Sequence, residues 1–424
     1  MKILVINPGG SSTKIATFSV DSKIQRLKDY KIQKEFEETI RHPVKDLIKF
    51  KTILDQLDYR KALIVKAIGD REFDCIVTRG GPLKPLKSGT YRITKKVVDD
   101  IKQGRMQSMH PSLLGPLIAY SLVQEYLKPI TTEITENTEK KKVKINLNKL
   151  GEKRVCLSEF SVLSGKSIPV FFVDAESVDE FCPLARISGL PEIPRKSLSH
   201  FLNTNAVVRK AAKELGKRVN QCNFIVAHLG SGITVAAKEK GKQIDANNAN
   251  EDGPFSPQRT GSLPLQGVID MCFSGKYSKK EMLDKIQRKG GLLAYLGTDD
   301  IPEIEKRIRN GDKYADLIYN AMIYQIAKEI GSMFVALKGK VTAIIITGGI
   351  AYQKNLVSKL KSWIRFMSPA LLSPQMVNRK LALGNIKKGG VKTPILVFPG
   401  EEEMTALAQG AIRVLYKKEK LKKY

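Results

Sequence analysis

Ile3-Leu4-Val5-Ile6-Asn7-Pro8-Gly9-Gly10-Ser11-Ser12-Thr13-Lys14 and, in the second half of the chain, Phe224-Ile225-Val226-Ala227-His228-Leu229-Gly230-Ser231-Gly232-Ile233-Thr234-Val235-Ala236-Ala237 follow one plan. Each opens on a short continuous apolar run, breaks at glycines, and resumes as a second apolar stretch, which in the first copy extends from Ser11 to Val20. Runs of this length bounded by glycine read as buried strands, and the break reads as a turn between them. A third run, Ala343–Ile346, ends at Thr347-Gly348-Gly349. Between such runs lie apolar residues at helical spacing, over Ala315–Val335 and again over Met404–Leu415. Strand-like and helix-like segments in alternation predict an α/β fold. The repeated plan predicts two related domains facing a shared cleft.

A length of 424 residues also favours two domains over one core. With 42% hydrophobic and 27% charged residues the composition is that of a soluble globular protein, and no apolar run is long enough to span a bilayer. Ile3–Ile6 is too short for a signal peptide and is cut off at once by the glycine turn, so a cytoplasmic address is expected, with no membrane partner. The five cysteines (Cys75, Cys156, Cys182, Cys222, Cys272) are odd in number, widely spaced and without a CxxC pair. That pattern predicts buried free thiols rather than disulfides or a zinc site. The net charge of +29 would suit a nucleic-acid partner. However, the lysines are spread along the chain, the densest runs (Lys140–Lys142 and Lys417–Lys423) fall in expected loops or tails, and no RNA-binding signature accompanies them. Excess lysine on solvated faces, with no nucleic acid bound, is the reading. Residues 128–166, rich in Lys, Thr and Asn, and 371–393, mixing Pro, Gly and Lys, read as surface excursions.

The glycine breaks carry the candidate chemistry. Glycines after a strand let backbone N–H groups approach an anion, and Ser11, Ser12, Thr13 and Lys14 add three hydroxyls and an ammonium. The stretch is not a Walker A loop, since the Gly-Lys-Ser/Thr ending is missing; a plain hairpin turn is the other reading. His228 before Gly230-Ser231-Gly232 is either a site histidine or a satisfied core histidine, and Val235 stands where a dinucleotide fingerprint needs its third glycine. Thr347-Gly348-Gly349-Ile350 can pack against a nucleotide or simply enter a helix. Arg259, heading Thr260-Gly261-Ser262-Leu263-Pro264, can aim its fork at a phosphate or carboxylate, or sit on the surface.

Taken in order along the chain, these motifs resemble those of the acetate and propionate kinases, and more closely those of the butyrate and branched-chain fatty-acid kinases, in the superfamily of actin and the sugar kinases. The resemblance covers nearly the whole chain apart from 128–166 and 371–393. It is carried by Ile6-Asn7-Pro8-Gly9 with Ser12-Thr13-Lys14, Arg79-Gly80-Gly81, Arg195-Lys196-Ser197, Ala227-His228-Leu229-Gly230, Asp252-Gly253-Pro254-Phe255, Arg259-Thr260-Gly261, Tyr295-Leu296-Gly297-Thr298, Thr347-Gly348-Gly349 and Phe398-Pro399-Gly400-Glu401. Of four histidines, His110, His200 and His228 fall where these families place active-site histidines, and His42 does not.

The resemblance implies two actin-like (ribonuclease H-like) domains with the active site in the cleft between them. The first is expected over 1–174 with about 402–424, the second over 175–401. It implies reversible phosphoryl transfer from ATP to a short-chain carboxylate, giving an acyl phosphate and ADP, with Mg²⁺ as cofactor and a homodimer as the assembly. Arg259 would stabilise the transferring group, with His228, Arg79, His110 and His200 beside it, and Asp174 would support the site arginine. Asn7, Gly9, Gly10, Ser12, Lys14, Gly230, Ser231, Gly232, Asp300, Gly348 and Gly349 would border the nucleotide and its phosphates. Asn7 and Glu402 would serve the metal, with Glu401 and Glu403 as neighbours in the same run. Met109, Ser199 and Pro254 would line the acyl pocket, Ser199 standing where acetate kinases commonly have an aromatic residue. Two departures are Gly10, where these families usually have Ser, and Pro302, where an Arg is common.

Overall fold

The structure, a computed structural model, describes residues 1–20, 32–127, 168–367 and 393–424. The excursions expected at 128–166 and 371–393 therefore lie, Thr393 apart, outside the described residues. The chain divides into two units: Met1–Lys84, Ser88–Ala175 and Met404–Tyr424 form the first, and Pro85–Lys87 with Glu176–Glu403 the second.

In the first unit β1 (Lys2–Pro8) and β2 (Ser12–Val20) form the antiparallel hairpin whose turn is Gly9–Ser11. β3 (Ile32–Arg41) pairs with β2 on the outside, while β4 (Cys75–Arg79) and β6 (Val170–Val173) continue from β1 in parallel, and the short β5 (Thr90–Arg92) closes the order β3-β2-β1-β4-β6-β5. Ile3–Ile6 are all within 1% of full burial, as a continuous apolar strand covered on both faces requires. Helix Leu114–Leu127 packs across β1, β4 and β6, and Gly115 lets it approach Thr78 and the Arg79 carbonyl more closely than any side chain would allow. Helix Glu403–Leu415 lays Gly410 against Val173. The lysine-rich stretch after it is not a loose tail: Lys422 donates its backbone N–H to the Thr90 carbonyl, and Glu419 pairs with Arg413 at 2.7 Å.

His42, at the end of β3, is buried with its Nε2 2.9 Å from Thr13 Oγ1; burial, and secondly the charge of Arg60, push its pKa down to about 4. The folded state therefore keeps the ring neutral where the unfolded chain takes up a proton. This contribution is complete above the unfolded value of about 6.5 and is lost as pH falls from there towards 4. Replacing His42 with Gln should flatten the acid limb of the stability curve by on the order of 1–3 kcal/mol between pH 7 and 4.5. Denaturant melts at the two pH values measure it, and identical pH slopes for both proteins would remove His42 as the cause.

The second unit repeats the same plan. Its sheet runs β11-β10-β7-β8-β9, with β7 (Asn223–Leu229), β8 (Ile233–Glu239) and β9 (Lys242–Ala246) antiparallel in sequence and β10 (Ala343–Gly348) and β11 (Ile395–Pro399) parallel to β7. Hairpin, third antiparallel strand, then two parallel strands on the far side is the order of the first unit as well. This doubled order is that of the actin-like fold. Alternation along β7 decides which way its side chains point. Ile225, Ala227 and Leu229 join the core under helix Lys313–Ala336, whereas Phe224 and Val226 face Val207, Val208 and Ala211 of helix Phe201–Glu214. His228 continues the second series, so its ring is turned toward the start of helix Phe201–Glu214.

Among the described residues the thiols are free, but Cys272 is exposed on helix Leu265–Phe273, against the expectation of burial; Cys75 and Cys222 are buried. The departure at Pro302 has a local reason, because it falls in the first turn of helix Ile301–Arg309, where proline leaves no interior hydrogen bond unmade.

Candidate active site

The second unit gathers its candidate residues at the carboxyl ends of β7, β10 and β11. His228 is 1% exposed and stacks on His200 with ring centres 4.3 Å apart. His200 Nδ1 is 2.8 Å from Thr234 Oγ1 on β8. The Asn203 amide nitrogen donates to His228 Nδ1 at 2.9 Å, which leaves the ring proton on Nε2. That Nε2 is buried, makes no hydrogen bond among the described residues, and stands 3.5 Å from Glu401 Oε1. Glu402 turns the other way and pairs with Lys210 at 2.9 Å, and the carboxylate beside His228 and Gly230 is that of Glu401. The reason is the corner at Gly400, which has φ +90 and whose N–H and carbonyl exchange hydrogen bonds with Gly348. Gly348 itself has φ +95 and lies so close to Leu229 that any Cβ would collide with its carbonyl.

Arg259 lies over the β7–β8 turn. A Cβ placed on Gly232 would sit 2.6 Å from its Cζ and 2.7 Å from Nη1, so the guanidinium occupies the space a side chain would fill. Nη1 donates to Asn250 Oδ1 at 2.8 Å and to the Ala249 carbonyl at 3.2 Å. The buried hydroxyl of Ser256 joins the two loops, donating to the Ser231 carbonyl at 2.5 Å and accepting from the Arg259 N–H at 3.1 Å. Pro254 is buried beneath Gly261, where φ of +62 and the Gly253 carbonyl leave room for glycine only. Ser199 is 7% exposed and accepts from Gln243 Nε2 at 3.0 Å; it neither faces solvent nor caps the following helix, whose N-cap is His200. Asp300 is exposed at the start of helix Ile301–Arg309, donating its N–H to Thr298 Oγ1 at 3.2 Å.

In the first unit Asn7 and Lys14 face each other across the hairpin, Asn7 being 7% exposed, with Gly9 and Gly10 in its turn and Ser12 opening β2. Arg79 ends β4 and leads into Gly80 and Gly81. Gly81, with φ +74, abuts Ser112 and Leu113, and Gly80 abuts Phe172 and Ala175. The arginine loop is thus wedged between the segment of His110 and the residue after Asp174. His110 Nδ1 lies 2.6 Å from Ser112 Oγ, and Met109 before it is exposed. Asp174 is buried in a left-handed backbone conformation (φ 42), its carboxylate accepting from the Gly89 N–H at 2.8 Å. For a residue with a Cβ such a conformation is uncommon, and aspartate is among those that adopt it most readily.

The protein-family model described as the acetokinase family matches residues 195–407. "Probable butyrate kinase 2" of Caldanaerobacter subterraneus subsp. tengcongensis is 40% identical over 428 residues, covering 100% of this chain and 99% of that protein. The chain belongs to the acetokinase family. A "Probable butyrate kinase" of Clostridium botulinum (strain Alaska E43 / Type E3) is 38% identical, again over 100% of this chain and 99% of the other. The crystal structure of Porphyromonas gingivalis acetate kinase, 18% identical, shares the fold with a TM-score of 0.66, over 98% of this chain and 99% of that one.

The segment matched by the acetokinase model includes His200, His228, Arg259, Gly348 and Glu401, which the second unit brings around one set of strand ends. Sequence reading missed Asn203, Ser256 and Arg60. Asn203 had a signal, since it lies three residues after His200 and so on the same helix face. Ser256 and Arg60 act mainly on backbone carbonyls distant in sequence, which no motif displays.

Proposed function

We propose that this ATP-dependent carboxylate kinase of the acetokinase family phosphorylates butyrate, or a branched short-chain acid of similar size, and runs readily backwards to make ATP. The observation that carries the choice of acid is full-length identity of 40% and 38% with two relatives bearing the butyrate name. A short-chain carboxylic acid has a pKa of roughly 4–5, so at neutral pH it is already the nucleophile and needs no general base. Its oxygen bonds to the γ-phosphorus as the bond from that phosphorus to the ADP oxygen breaks. What remains for the protein is to hold anions together and spread the charge of the transferring group. Arg259 brings a planar fork, His228 a buried Nε2–H committed to no other hydrogen bond among the described residues. Within the first unit, the β1–β2 turn and Arg79 are proposed to meet phosphate.

Magnesium fits these residues as a nucleotide-borne ion. Asn7 in the first unit and a carboxylate of the Glu401–Glu403 run in the second, Glu402 by the family resemblance, are proposed to offer it hard oxygens, and no cluster of three or more His, Cys, Asp or Glu among the described residues could cage it alone. Mg²⁺ typically takes one or two protein oxygens and completes its shell with phosphates and water, and when bound it would neutralise phosphate charge. Pro254 and Ser199, the latter held by Gln243, are proposed to face the acyl chain, and so is Met109, exposed in the first unit.

Acyl-phosphate formation, trapped as the hydroxamate, tests the reading across acetate, propionate, butyrate and isobutyrate. Two further buried methylenes favour butyrate over acetate by about tenfold or more in kcat/KM. A preference for acetate would move the assignment to an acetate kinase, and no hydroxamate from any acid would remove the activity.

A homodimer is the proposed assembly. Helix Leu265–Phe273 is largely apolar yet buries none of its residues, Leu265 and Phe273 being 79% and 87% exposed. An apolar helix left this bare on one chain is what an interface between copies requires. Replacing Ile269 and Phe273 together by Glu should halve the mass seen by light scattering; an unchanged mass would place the contact elsewhere. No helix among the described residues is long and apolar enough to cross a membrane, and a cytoplasmic site is proposed with the ATP-linked activity.

A further inference from the structure

Arg60 is completely buried in the first unit, on helix Leu57–Ile68, the largest side chain there to be so. Among the described residues its partners are all neutral. Nη1 donates to the Gly9 carbonyl at 2.8 Å and to Thr13 Oγ1 at 3.2 Å, and Nη2 to the Gly10 carbonyl at 2.9 Å. Nε and Nη2 also reach Gln56 Oε1, at 3.0 and 2.8 Å. Burial draws its pKa down to about 10, which leaves it charged at neutral pH. Taking a guanidinium out of water without a carboxylate is costly, and an apolar residue would fill the space more cheaply. What the apolar residue lacks is the planar fork, which here grips two successive peptide carbonyls.

That grip has a consequence for the other side of the turn. The peptide bonds are trans, so each N–H points away from the carbonyl of its own plane. With the carbonyls of Gly9 and Gly10 drawn inward to Arg60, the N–H groups of Gly10 and Ser11 point outward, and both residues are exposed. The turn is closed beneath them by Gly9 N–H to the Ser12 carbonyl at 2.7 Å. Two successive amides aimed one way form an anion-binding nest, and a cation behind their carbonyls strengthens both as donors.

We infer that Arg60 is a positioning residue that sets the Gly9–Gly10 and Gly10–Ser11 peptide planes, so that the Gly10 and Ser11 amides bind a phosphoryl group. It touches no phosphate and acts through the turn. The assignment deepens the kinase reading and rests on it for the identity of the natural phosphate, which is a nucleotide or an acyl phosphate. Gly10 also makes sense in this light: a Cβ there meets nothing within 4 Å, so no side chain stands between the nest and its ligand.

The test is made on the full chain, labelled with ¹⁵N at glycine and serine and titrated with inorganic phosphate. In the wild type the Gly10 and Ser11 amide signals shift. In Arg60→Lys they do not, because one ammonium cannot hold both carbonyls and Gln56. In the same variant KM for ATP rises about tenfold or more while KM for the carboxylate stays within about twofold, since a phosphate nest and not the acyl site has been loosened. If Arg60→Lys does not fold, Gln56→Leu, which removes the acceptor of two of the fork's hydrogen bonds, should weaken the phosphate shifts in the same direction. Wild-type Gly10 and Ser11 signals that ignore phosphate, or a folded Arg60→Lys that keeps both the shifts and the wild-type KM for ATP, would overturn the inference. Phosphate shifts at the turn without hydroxamate formation would instead leave this inference standing and remove the kinase reading.

Discussion

Arg259→Ala should lower kcat by about 10²–10⁴-fold while KM for ATP moves only a few-fold, the pattern of an interaction made in the transition state. The side chain is held over the β7–β8 turn by Asn250 and the Ala249 carbonyl, and its own N–H is fixed by Ser256, so the fork is preorganised and loses little entropy on binding. Lysine should restore little, because an ammonium provides a point charge without the planar pair of donors that a phosphoryl group meets. Steady-state kinetics in both directions, by hydroxamate and by ATP formation, measure the loss. A variant within a few-fold of wild type would show that Arg259 only ties the loop to the turn.

Much of the fold was legible from hydrophobic patterning. β1 with β2, and β7 with β8, are where an apolar run, a glycine break and a second run lie in succession, and Lys313–Ala336 follows the helical period read over Ala315–Val335. β3 was not legible, because IQKEFEETIR is an edge strand whose charges hide its period and guard its open side. The site was legible where its residues stand on a strand end followed by glycine, as His228 and Gly348 do. Which of Glu401–Glu403 lies beside His228 was not legible, since three consecutive carboxylates differ only in which way a glycine corner turns them, and the φ of Gly400 is not written in the composition of the run. Arg60 shows the deeper limit. On a helix with Asp58 and Lys61 beside it, an arginine reads as solvated, and only folding brings it beneath the Gly9–Ser11 turn. The family resemblance supplied what spacing alone could not, namely that several weak motifs in one order belong to one reaction.

Gly232→Ala should abolish nearly as much activity as the loss of Arg259 while leaving the protein folded. The added methyl would meet Cζ at 2.6 Å, Nη1 at 2.7 Å and Nε at 2.9 Å, all atoms at the far end of one flexible side chain. Gly232 does not have the positive φ that makes alanine costly at Gly348, so the backbone accepts the change and the guanidinium has to move. A shift of about 1 Å in a group proposed to meet a transferring phosphoryl is expected to cost on the order of 10²-fold in kcat. The double variant Gly232→Ala with Arg259→Ala separates this from a general disturbance of the turn. If the methyl acts only by displacing the arginine, the double variant should be no worse than Arg259→Ala alone, a strong departure from additivity. Losses that multiply would mean that the turn amides themselves had been disturbed, and a nearly active Gly232→Ala would mean that the fork does its work from a different position.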